Sequence, residues 1–60
     1  MYVLVKNIND LVVKTRNSKL SKVVERGEEL TSDYGGRLIV CTEEYDQKEG
    51  RTNRKFICDV

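Results

Sequence analysis

Apolar positions along this chain come in short bursts separated by polar clusters. "YVLVK" (2–6) and "LVVKTR" (11–16) are rich in β-branched residues and flank "NIND" (7–10). Asn and Asp bond their own backbone and favour turns. The pattern predicts an N-terminal hairpin. "RLIVCT" (37–42) is apolar at consecutive positions and predicts a central strand covered on both sides. "RKFICDV" (54–60) is its expected partner.

The segment "KLSKVVERGEEL" (19–30) fits two patterns. As a helix, Ser18 is the N-cap, Leu20, Val23 and Val24 form one stripe, and Gly27 is the stop. As a strand, the Asn17-Ser18 turn folds residues 20–24 back onto 11–15. Two consecutive valines and the lack of Ala favour the strand, and the strand is the expectation. "TSDYGG" (31–36) reads as a loop, with Gly35-Gly36 free to take positive φ.

These elements predict one domain over residues 1–60, mainly β, as a small five-stranded SH3-like barrel or sheet. The alternative is an α+β fold, a ββαββ sheet with one short helix at about 19–26. For the C-terminal hairpin, pairing residues 37–45 with 52–60 sets Cys41 opposite Phe56, Ile39 opposite Cys58, Glu43 opposite Arg54 and Tyr45 opposite Thr52. The two cysteines then share a face as diagonal neighbours, beyond normal disulfide reach. A bulge at Gly50 would shift this register by one.

Composition sharpens the sheet reading. The chain has no Ala, Pro, His or Trp, and Val is abundant. At 60 residues the core is small and stability marginal. Starting with Met and carrying no visible tag, the chain is expected to be a complete gene product. No stretch reaches the roughly 20 apolar residues of a membrane span, and "MYVLVK" is too short for a signal peptide. A cytoplasmic protein with no membrane partner is expected. Cys41 and Cys58 are then buried thiols, and no metal or other cofactor is expected.

Eleven basic and ten acidic residues leave a formal net charge of +1. Residues 1–26 carry six basic against two acidic side chains, and residues 27–60 carry five against eight. Two basic groupings stand out. Lys14, Arg16, Lys19 and Lys22 surround one turn; Arg51, Arg54 and Lys55 follow another. Together they are the candidate contacts of a small nucleic-acid-binding β domain. The pI of about 7.7 weighs against that reading.

Catalytic chemistry has little support. Without His there is no Ser-His-Asp or Cys-His arrangement. Glu44 and Asp46 could share a strand face, but an acidic hairpin end is ordinarily a solvated one. A chain this short is also expected to lack room for a cleft of several hundred Å³. "DYGGR" (33–37) lacks the Lys-Ser/Thr ending of a phosphate loop. The function expected is therefore non-enzymatic: a small protein-binding module, adaptor or inhibitor, occupying a surface of a larger macromolecule. Its candidate contacts are Tyr34, Tyr45, Arg51, Arg54 and Lys55. "MYVLVK" is a candidate sheet edge, and pairing through it would give a homodimer.

Overall fold

The computed structural model describes residues 1–34 and 36–60, with Tyr34 described in its backbone alone. The elements run β1 (Tyr2–Val5), β2 (Thr15–Asn17), α1 (Leu20–Tyr34), β3 (Ile39–Asp46) and β4 (Arg51–Asp59). The strands form one open antiparallel sheet in the order β2-β1-β3-β4. There is no closed barrel and no fifth strand among the described residues. The ββαββ alternative gives the element order, with a helix that runs well past residue 26.

Residues 20–34 are helical because their apolar period is helical throughout. Leu20, Val23, Val24, Gly27, Leu30 and Thr31 repeat at three- and four-residue steps. The strand expectation counted only the Val23-Val24 doublet. The helix alternative takes Gly27 as its stop, whereas Gly27 is a buried mid-helix contact. A Cβ built there would lie 2.7 and 3.0 Å from the two Cγ atoms of Val60 and 3.1 Å from Leu4 Cδ1. At the helix start, Asn17 Oδ1 accepts the Lys19 amide at 2.9 Å. The segment expected as the loop 31–36 is helical up to Tyr34, and Thr31 Oγ1 donates to the Gly27 carbonyl at 2.7 Å. Gly35 lies outside the described residues.

The N-terminal hairpin also departs from expectation. Asn7 Oδ1 accepts the Asn9 amide, the Asn7 carbonyl accepts the Asp10 amide, and Asp10 Oδ1 accepts the Val12 amide. These consecutive turns keep the chain out of the sheet until Lys14, whose amide donates to the Leu4 carbonyl at 2.8 Å. Pairing then sets Leu4 against Thr15, Val3 against Arg16 and Tyr2 against Asn17. Residues 6–14 become a compact loop with closely spaced ends.

The sheet divides the core in two. On one face Leu4, Val23, Leu38 and Val40 pack beneath α1, joined by Tyr2, Leu20, Val24, Leu30, Cys58 and Val60. On the other, Val3, Val5 and Cys41 are covered by Ile8 and Val13 of the 6–14 loop. β1 is thus interior, flanked by β2 and β3, and the expectation that it forms an edge is overturned. The two edges are the short β2 and the long β4.

Helix α1 lies over β1, β2 and β3, and no described residue of α1 approaches β4 within 8 Å between Cα atoms. The distal β3–β4 hairpin therefore projects as an arm, and the molecule measures 39 × 20 × 15 Å. Its turn is built by Asp46, whose Oδ1 accepts the amides of Lys48 and Glu49 while its carbonyl accepts that of Gly50. Gly50 takes φ 67°, where a side chain would be strained.

The hairpin register matches expectation over Cys41–Phe56, Glu43–Arg54 and Tyr45–Thr52. Beyond Cys41 it shifts: Val40 opposes Cys58, and Ile39 opposes Asp59 rather than Cys58. The extra residue is Ile57 in β4, not Gly50. This bulge turns Cys58 to the helix side while Cys41 stays on the loop side, so the cysteines occupy opposite faces.

Candidate partner-binding face

Strand alternation sorts the arm's side chains. Thr42, Glu44 and Asp46 face the helix side, paired with Lys55, Asn53 and Arg51. That face is wholly polar. Cys41, Glu43 and Tyr45 face the loop side, paired with Phe56, Arg54 and Thr52. The loop side carries the aromatic groups.

Glu43 is the hub of the loop side. Its Oε1 accepts Arg16 Nε at 3.1 Å. Its Oε2 accepts Arg54 Nε at 3.2 Å and Nη2 at 3.0 Å. Arg54 Nη1 reaches further, to the carbonyls of Ile8 at 3.0 Å and Asp10 at 2.6 Å. One guanidinium thus ties the sheet to the loop that roofs it. Only 14% of the Arg54 side chain and 16% of the Glu43 side chain are exposed, so water screens this pair little.

Burial pushes the Glu43 pKa up, but the hydrogen bonds and charges of Arg16 and Arg54 outweigh it. The carboxyl is held below its ordinary value of 4.5. A folded pKa below the unfolded one contributes stability that is present above pH 4.5. It is lost as pH falls through the folded value. Glu43→Gln is expected to flatten the acid limb of stability between neutrality and pH 3, read as urea midpoints across that range. An unchanged acid limb would show that other carboxylates govern it. Burial also raises the Cys41 thiol above its ordinary 9.0, with Arg54 opposing and Glu43 reinforcing the shift.

The sequence candidates fall in different places. Tyr45 is 66% exposed on the loop side of the arm. Arg51 and Lys55 are exposed on its helix side, and Arg51 Nε meets Glu49 Oε2 at 2.9 Å. Arg54 is an internal tie rather than a free contact. The side chain of Tyr34 lies outside the described residues. Of the second basic grouping, Arg16 joins Arg54 on Glu43, Lys14 is half-buried beside β1, and Lys19 and Lys22 are exposed on the α1 layer. The fold therefore distributes the basic candidates over both faces. It brings Arg16 and Arg54 together, around a neutralising carboxylate.

Sequence reasoning missed three apolar groups. Phe56, set opposite the buried Cys41, is itself 54% exposed, because it lies on the outer strand. Leu11 and Val12, expected in a strand, are 94% and 61% exposed on the loop. Leu11 lines an open groove with Ile8, Arg16, Glu43, Thr52 and Arg54. The groove measures about 480 Å³, more than chain length led one to expect, because loop and arm enclose it from two sides. Among the described residues, no three of His, Cys, Asp and Glu are grouped to hold a metal ion, and no helix is long and apolar enough to cross a membrane. Compared with family models, curated proteins and solved structures, the chain matches none of them.

Proposed function

We propose that this chain is a non-enzymatic protein-binding module, an adaptor or inhibitor whose contact face is the loop side of the sheet. The observation supporting this is the exposure of Leu11, Tyr45 and Phe56, of which Tyr45 and Phe56 lie on the loop side of the arm and Leu11 lines a groove with Arg16, Glu43 and Arg54. Large apolar side chains held on a fixed scaffold are the usual anchors of protein interfaces. The scaffold here is fixed by Arg54, which joins strand and loop. The non-enzymatic part of the reading rests on chemistry. The sequence has no His, Cys41 is buried with a raised pKa, and the half-buried Glu43 is committed to two arginines.

The nucleic-acid reading has weaker support. Arg16 and Arg54 share one carboxylate, which removes charge from the face that carries the aromatics.

Tyr45→Ala and Phe56→Ala are expected to keep the circular dichroism spectrum, and the unfolding free energy within about 0.5 kcal/mol, since both side chains are exposed. Each is expected to lose the partner that wild-type protein retains in affinity capture from its native host, with about 1–2 kcal/mol lost per anchor. Undiminished retention of the same partner by both variants would refute this face.

A further inference from the structure

We propose that the outer edge of β4, over residues 51–56, receives an extended acidic segment of another protein as an added strand. The inference rests on the protein-binding reading above and names the class of partner.

β4 is paired on one side only, against β3, and is exposed along nearly all its length. Its backbone follows a regular register from Arg51 to Phe56, and the bulge at Ile57 ends that run. The chain has no Pro to block it. Such an edge presents unpaired amides and carbonyls to an extended peptide, and side chains then select which peptide binds.

Charge selects an acidic one. On the helix side the β3 row reads Thr42, Glu44, Asp46, and the β4 row beside it reads Lys55, Asn53, Arg51. No described residue of α1 approaches the β4 row of this face within 8 Å between Cα atoms. An acidic row laid against β4 would continue the alternation of sign from strand to strand, and opposite charges on adjacent strands stabilise pairing. On the loop side the same added strand would run beside Thr52, Arg54 and Phe56; Arg54 is already bound to Glu43, and Thr52 and Phe56 suit apolar residues. The fitting segment therefore alternates acidic and apolar residues.

The same charges argue against a second copy of this chain. Antiparallel self-pairing centred on Asn53 sets Arg51 against Lys55 twice, and parallel pairing in register sets like against like. Pairing of the whole run centred on Arg54 or beyond reaches the bulge at Ile57, where a regular ladder breaks. An RNA or DNA strand would find two exposed cations here without the further charge of Arg54, which is bound to Glu43.

The test is a titration of ¹⁵N-labelled protein with a capped eight-residue peptide of alternating Glu and Val. Its controls are the same peptide with Lys for Glu, an N-methylated version, and a short single-stranded oligonucleotide. The Glu peptide is expected to shift the amides of residues 51–56, with the Lys peptide about tenfold weaker. The N-methylated peptide is expected to be inactive. In the Arg51→Glu/Lys55→Glu variant the preference should reverse. Absent shifts at 51–56, equal binding of both peptides, or shifts there with the oligonucleotide alone would each overturn the proposal. A silent β4 edge together with partner capture that still depends on Tyr45 and Phe56 would remove this inference and leave the binding module standing. Capture independent of those two residues would remove the module's proposed face, whatever β4 does.

Discussion

Arg54→Met is expected to lower the unfolding free energy by about 3 kcal/mol. The guanidinium holds three partners at once: the Glu43 carboxylate and the carbonyls of Ile8 and Asp10. Methionine fills much of the volume but bonds none of them. Arg16 remains on Glu43, yet 55% of its side chain is exposed and it reaches one oxygen. The two carbonyls are left without this donor. A chain of this length has a total stability of roughly 3–9 kcal/mol, so the variant sits close to unfolding. Arg54→Lys is expected to recover little, because a single ammonium cannot span carboxylate and both carbonyls in the fork geometry of arginine. Urea unfolding at neutral pH measures both. A loss below about 1 kcal/mol for Arg54→Met would mean the tie is screened like a surface pair.

Gly27→Leu is expected to cost about 3 kcal/mol, at the upper end of ordinary overpacking. At a solvent-facing helix position, replacing Gly with a better helix former gains up to about 1 kcal/mol. Gly27 instead faces Val60 and Leu4 at distances that leave no room for a Cβ. The Val60 backbone is held in place, since its amide donates to the Leu38 carbonyl at 3.0 Å. Gly27→Ala separates the two effects. In the wild-type background it is expected to destabilise. In a Val60→Ala background, where both Cγ atoms are gone and the 3.1 Å approach of Leu4 Cδ1 remains, the same change is expected to cost much less. A double-mutant cycle by chemical unfolding reads this coupling. Additive effects would mean that the helix and the C-terminal residue are not in contact.

Both predictions concern features that the linear pattern misreads. Gly27 looks like a helix stop because a sequence window shows its missing side chain and not the Val60 methyl groups that need the space. Arg54 looks like one half of a surface pair, because its cross-strand neighbour Glu43 can be deduced from hairpin spacing. Its bonds to Ile8 and Asp10 cannot be deduced, since those residues are distant in sequence and reach it only through the folded loop.

The features legible in the linear pattern are local. Alternation and spacing placed the β3–β4 hairpin, its register from Cys41 to Tyr45 and the Glu43–Arg54 pair, because cross-strand pairing near a short turn has few solutions. The helical period from Leu20 to Leu30 was also present, though the Val doublet pulled the reading towards a strand. The tertiary structure alone decided which strand lies inside and which lies at the edge. β1 is interior because β3 pairs back onto it after the helix, and chain order does not encode that choice. It also decided that the 6–14 loop roofs the second face, that a bulge at Ile57 sends the two cysteines to opposite sides, and that Phe56 emerges from the core. In each case the deciding contacts join segments far apart along the chain, where no local period or propensity reports them.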